Sequence, residues 1–298
     1  MVDQERSPLG TAPGCAVREA ARRRNGWYIV RTMPSSLLFS LSALAALVPA
    51  SLLPLRGKEG PDPVFWAAIL VAAAGPGLWA FVQLSEAWRT DLSSALWVTV
   101  SASMVLFVGL AAMARQAWRL TVLLLPYLIL LAVVATMWQQ APGRLLPEAV
   151  PVAWLQAHIV ASVATYGLLT IAAVAGLAVL LQERALRVKR PTGLTRLLPP
   201  VADSERLQVR LLIASEIVLG LGLLTGMATQ YLSSGGLLAF NHKTLFSVLT
   251  FVLIAALLAA HYRTGVRGRR AARLVLLAYL LLTLAYPGVK FVTDVLLA

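Results

Sequence analysis

One cysteine, Cys15, stands in 298 residues. That excludes an internal disulfide, a Cys-x-x-Cys redox pair and any multi-thiolate metal site. Charge is scarce too, at 13% of residues against about 25% in an ordinary soluble domain, so water is not the main solvent of this chain. The sequence holds three histidines. It has no nucleophile elbow, P-loop, His-Glu-x-x-His or paired-carboxylate pattern, which leaves hydrolytic and nucleotide chemistry unsupported; a non-enzymatic protein is expected. No cleavable signal peptide stands out, because the first apolar run opens near residue 35, too far from the start and too long.

Apolar residues are what the sequence has in excess, 59% of the total with a mean hydropathy of +0.76. A span of the bilayer core needs about 20 apolar residues at ~1.5 Å rise each. Eight runs meet that length: Ser36 to Leu55, Val64 to Leu84, Leu92 to Met113, Thr121 to Met137, Val152 to Leu181, Leu207 to Tyr231, Thr244 to Ala260 and Leu274 to Leu297. Trp66, Trp88, Trp118, Trp138, Trp154 and Tyr231 fall near run ends, where amphipathic rings belong. Pro76 and Pro126 lie inside runs and are tolerable kinks where neighbours satisfy the freed carbonyls. The expected fold is an all-α, polytopic membrane protein of about eight transmembrane helices, with no repeat visible.

The net charge of +13 does not indicate nucleic acid, because the cations are not interleaved with stacking aromatics. They gather in blocks between the runs. Gln182 to Arg210 holds Arg184, Arg187, Lys189, Arg190, Arg196, Arg206 and Arg210, and Tyr262 to Arg273 holds five cations and no acid. The alternate loops carry only Arg89, Arg144 and Lys243. The positive-inside rule then puts the basic blocks in the cytoplasm and both termini on the periplasmic or external side. Residues 1–32 conflict with that assignment, since Arg6, Arg18, Arg22, Arg23, Arg24 and Arg31 would lie outside. The segment reads as a disordered or non-native extension, with translation starting at Met33 and residues 33–298 forming one transmembrane domain.

Ionisable groups at membrane depth are the places to look for function. His158 precedes the apolar core of the fifth run. His242 opens the seventh run and His261 closes it. The 19 positions between His242 and His261 span roughly 28 Å of helix, so these two cannot share a metal centre. His158 and His242 could, if their helices are neighbours, with Lys243, Lys290 and Asp294 at similar height. A single histidine at a helix end is more often an interfacial hydrogen-bonding residue than a ligand, and Lys290 reads first as a snorkelling side chain. Glu216 lies deep in the sixth run, where an ionised carboxylate costs several kcal/mol. It is protonated, or faces a partner or cavity; the alternative is a neutral acid hydrogen-bonded to a neighbouring helix. Gly220, Gly222 and Gly226 on the same helix permit close packing.

Four segments in order carry a resemblance. They are WLQAHIVASVATYGLL (154–169), SERLQVRLLIASEIVLGLGLLTG (204–226), NHKTLFSVLTFVLIAALLAAHYRTGVRGRR (241–270) and LAYPGVKFVTDVLL (284–297). Together they resemble the cytochrome c assembly family of haem-handling membrane proteins over residues 150–298, with a Trp-Leu-x-x-His segment, a Lys-initiated helix closed by His-x-Arg, and a final helix with Tyr-x-Gly. The resemblance implies a haem site with His158 in the place of the first external haem-ligating histidine, and His261 in that of a transmembrane histidine. The Trp-rich external loop of full members is missing: LSSGGLLAFNHKT (232–244) has no tryptophan. Phe240, Asn241 and His242 stand where Trp, Asp and Pro would precede Lys243, and no second external histidine follows the last helix. The pattern is nearer to the HemX-like and YpjD-like inner-membrane members, which lack that loop.

Three functions are thereby open. The first is haem binding or transport in c-type cytochrome maturation in the bacterial inner membrane. It would use b-type haem with His158 and His242 as iron ligands, and Lys243, Lys290 or Arg144 near the propionates. The second is a scaffold or regulator of haem-biosynthesis or cytochrome-assembly proteins that binds no haem and docks through the basic loop 182–210. The third is a small-solute or ion transporter built on Glu216.

Overall fold

A computed structural model describes residues 36–56, 60–86, 89–139, 144–145, 152–234 and 242–288. The expectations for residues 1–32, Met33, Phe240, Asn241, Lys290 and Asp294 lie outside the described residues. The chain divides into two units, 1–41 and 42–298; in the first, residues 36–41 are described and are helical.

The fold is all-α. In chain order the helices are α1 (Ser36–Leu52), α2 (Pro63–Glu86), α3 (Leu92–Met113), α4 (Thr121–Met137), α5 (Val152–Val188), α6 (Gly193–Leu197), α7 (Val201–Ser234), α8 (His242–Thr264) and α9 (Gly268–Thr283). A π-turn, Leu284–Gly288, follows α9; it contains Pro287, which lacks the N–H needed to continue an α-helical ladder. Two-residue strands, β1 (Arg89–Thr90) and β2 (Arg144–Leu145), pair antiparallel. Among the described residues six helices are long and apolar enough to cross a membrane: α2, the segment Ala117–Met137 containing α4, and α3, α5, α7 and α8. α1, at 17 residues, reaches only ~26 Å, and α9 is shorter still at 16.

Local chemistry sets the helix starts. Asp62 accepts a hydrogen bond from the Phe65 amide (2.8 Å) and pairs with Arg56 (3.6 Å). Pro63 follows as the first residue of α2, where its missing N–H costs nothing. Asp91 caps α3 by accepting from the Ser94 amide at 3.0 Å and the Ser94 hydroxyl at 2.7 Å. α5, at 37 residues, is ~55 Å long and outruns the ~30 Å hydrocarbon core. It is the central helix, packed against α3, α4, α7 and α9, and nearly every residue from 165 to 176 is buried.

Two polar devices tie the helices together. Within the helices, Tyr127 of α4 and Tyr279 of α9 share a hydroxyl–hydroxyl hydrogen bond. Tyr166 of α5 donates to Thr283 of α9 at 2.8 Å, and Thr170 lies 3.4 Å from the Tyr279 hydroxyl. Thr170 donates chiefly to the Tyr166 carbonyl at 2.7 Å, and Thr283, which accepts from Tyr166, donates to the Tyr279 carbonyl at 2.8 Å. A satisfied network of this kind is the form in which polar groups survive in a dry interior. At one end of the helices, the α8–α9 turn uses Gly265 (φ +68°) and Gly268 (φ +62°). Glu205 of α7 accepts from the Gly268 amide at 2.7 Å, and the carboxylate of Glu183 from α5 crowds the same glycine.

Candidate functional site

His158 sits near the start of α5, half-buried against α7. Its Nδ1 is 2.9 Å from the carbonyl oxygen of Gly222 and 3.4 Å from the Thr225 hydroxyl. A carbonyl can only accept, so Nδ1 carries the hydrogen. In the neutral ring Nε2 is then the nitrogen with a free lone pair. Nε2 has no hydrogen-bond partner among the described residues. A backbone carbonyl holding one ring nitrogen while the other is presented is how ligating histidines are oriented.

The seat for this ring is made by glycine. A Cβ on Gly226 would lie 2.9 Å from Cε1 of His158 and 3.3 Å from Nδ1, closer than carbon atoms pack. One turn earlier, a Cβ on Gly222 would stand 3.7 Å from that of Ala161. The spacing Gly222-x-x-x-Gly226 therefore lets α7 approach α5 closely and opens the space the imidazole fills. The Thr225 hydroxyl is spent on its own helix, at 2.9 Å from the Leu221 carbonyl and 3.1 Å from that of Gly222.

Lys243, in the first turn of α8, is exposed like His242 and makes interactions of its own. The structure gathers His158, Gly222, Thr225 and Gly226. His242 is exposed at the start of α8. α8 packs chiefly on α7 and α9, not on α5. His261 belongs to the other end of α8, where Nδ1 donates to the Val266 carbonyl at 3.0 Å and the ring meets Tyr262 edge-on at 5.2 Å; that bond braces the α8–α9 turn. Glu216 has both carboxylate oxygens shielded and without a hydrogen-bond partner among the described residues. No group of three or more His, Cys, Asp or Glu side chains among them could hold a metal ion.

The Gly222 carbonyl and the Gly226 seat were not read from the sequence as parts of a histidine site, although the glycines were read as close-packing residues. Sequence alone gives no angular phase between two helices. The Tyr127–Tyr166–Tyr279 network was missed for the same reason: its members lie 152 and 117 positions from their partners.

The family model described as cytochrome c assembly protein matches residues 87–297. The chain belongs to the cytochrome c assembly family. The matched stretch takes in α3, α4 and α5 through α9, so every residue of the His158 seat falls inside it. The chain is also 57% identical over 270 residues to an "uncharacterized 28.8 kDa protein in nifR3-like 5'region" of Azospirillum brasilense, covering 89% of this chain and 100% of that relative. No solved structure matches. Family membership and the six apolar helices together make this a multi-pass membrane protein of cytochrome c maturation.

Proposed function

We propose that the protein holds haem at one membrane interface during c-type cytochrome maturation, with His158, through Nε2, as the residue that would bind the iron and Lys243 as the cation that would pair with a propionate. It would do so in the bacterial inner membrane and without a chemical step of its own. One observation carries this reading: Nδ1 of His158 is committed to a backbone carbonyl, so the opposite nitrogen is presented. The residues fit the group. Haem is a flat apolar ring with two carboxylates. His158 offers a lone pair, Lys243 is a cation, and the adjoining turns of α5 and α7 carry exposed apolar side chains in Trp154, Val160, Leu221 and Leu224. When bound, haem supplies the iron; the chain supplies the ligand, its tautomer and the anion partner. Haemin titrated into the purified protein should shift its Soret band and saturate. His158→Ala should abolish the saturable shift, whereas His261→Ala, at the other end of α8, should leave it. An unchanged titration for His158→Ala contradicts the assignment.

A second reading is a scaffold for assembly or haem-biosynthesis proteins that binds no haem. It is favoured by the absence, among the described residues, of a second histidine packed beside His158, since His242 is exposed. A protein that leaves haemin unperturbed yet co-purifies with a haem-pathway partner supports this reading over the first.

A further inference from the structure

A second site lies at the far end of α5, where its charged residues follow the apolar run. There α5, α6 and the link between them form an open, surface pocket of about 310 Å³, lined by Gln182, Leu186, Lys189, Pro191, Thr195 and Arg196 among others. That volume is at the small end of ligand sites, which run from about 300 to 1,000 Å³. The pocket owes its shape to an unusual helix end. The Lys189 amide donates to the Leu186 carbonyl and the Arg190 amide to the Ala185 carbonyl, each at 3.2 Å. These are the paired bonds of a Schellman motif, whose left-handed position is normally glycine. Here Lys189 occupies it, at φ +53°. A lysine in a glycine position is strained, and what it adds there is a cation aimed at the pocket edge. Thr192 and Thr195 then cap α6 reciprocally, Gln182 ties α6 back to α5 through the Thr195 carbonyl at 2.8 Å, and Arg196 lies in the last turn of α6.

The nearby acids are committed elsewhere. Glu205 accepts from the Gly268 amide, Asp203 lies 3.9 Å from Arg206, and the Glu183 carboxylate lies beside Gly268 at the α8–α9 turn. Neither Lys189 nor Arg196 has an ion-pair partner among the described residues. Beside these two cations stands Leu186, 68% exposed, so the pocket combines positive charge with bare apolar surface where a membrane helix leaves the bilayer. That is the chemistry of a phosphate attached to a hydrocarbon.

We propose that this pocket binds the phosphate of an anionic phospholipid headgroup, held between Lys189 and Arg196 with the glycerol end against Leu186 and Pro191. The proposal is independent of haem. It is tested by titrating the full chain in detergent with short-chain phosphatidylglycerol, phosphatidylcholine or glycerol phosphate and following thermal unfolding. Phosphatidylglycerol should raise the unfolding temperature saturably and phosphatidylcholine should not. Lys189→Gly suits the left-handed backbone, so it should fold with equal or greater basal stability while weakening the phosphatidylglycerol midpoint about five-fold. Adding Arg196→Gln should weaken it about thirty-fold in all, at roughly one cation's worth of surface attraction each. Arg187→Gln, outside the pocket, should leave the midpoint unchanged. A double variant that binds like the wild type overturns the proposal, as does equal weakening by Arg187→Gln, which would mean a diffuse basic surface. Glycerol phosphate matching the lipid would show that the anion is a free phosphate and overturn the lipid assignment.

Discussion

A methyl group on Gly226 would lie 2.9 Å from Cε1 of His158, so the ring or the helix must move to accept it. Gly226→Ala should destabilise the protein by about 1–3 kcal/mol, as small-to-large changes in packed seams do, and should weaken haemin binding without touching a ligand. Chemical unfolding in mixed micelles and the Soret titration check the two parts separately. Gly268 is constrained differently. Its φ of +62° alone makes Gly268→Ala cost about 1–2 kcal/mol, and the Glu183 carboxylate adds a collision. Glu216 should show the opposite sign. Its carboxylate oxygens have no partner among the described residues, so Glu216→Leu should stabilise by about 1–3 kcal/mol, the desolvation penalty of an unpaired polar group. A loss of stability instead would show that the acid has a partner.

Among elements, the tyrosine network links α4, α5 and α9 across the apolar interior. Tyr279→Phe removes the hydroxyl that both Tyr127 and Thr170 use. It should cost about 1 kcal/mol, near the middle of what interhelical hydrogen bonds contribute in membranes, and unfolding of the variant in mixed micelles measures it. Sequence reading located the elements with uneven success, for physical reasons. Leu92–Met113 and Thr121–Met137 match their apolar runs end to end, because the Asp91 cap starts α3 and the extended Ala114 with the turn behind it ends α3 where hydropathy drops. α5 continues past Leu181 to Val188, since Glu, Arg, Ala and Leu are strong helix formers whose polarity ends a hydropathy run without ending a helix. α7 opens at Val201, six residues before its run, for the same reason. α6 carried no apolar signal and was missed; only its Thr192/Thr195 capping box announced it.

For the whole molecule, the membrane character and family were legible from composition and four spaced segments, while the site was legible only as a set of residues. Hydropathy suggested His158 and Lys243 at similar height, but which atoms of α7 receive the ring depends on helix rotation, which a hydropathy pattern does not encode. Six helices among the described residues are long and apolar enough to span, and the positive-inside rule predicts that the basic loop 182–210 faces the cytoplasm. Single cysteines placed in a Cys15→Ser background test it: Arg187→Cys should react with impermeant maleimide only from the cytoplasmic side, and Gln156→Cys only from the other. The central claim concerns one atom, Nε2 of His158, and chemical rescue reaches it directly. The haemin complex of His158→Gly should lose the wild-type Soret band and regain it when free imidazole is added. A His158→Gly protein that keeps the wild-type spectrum without imidazole would contradict the account.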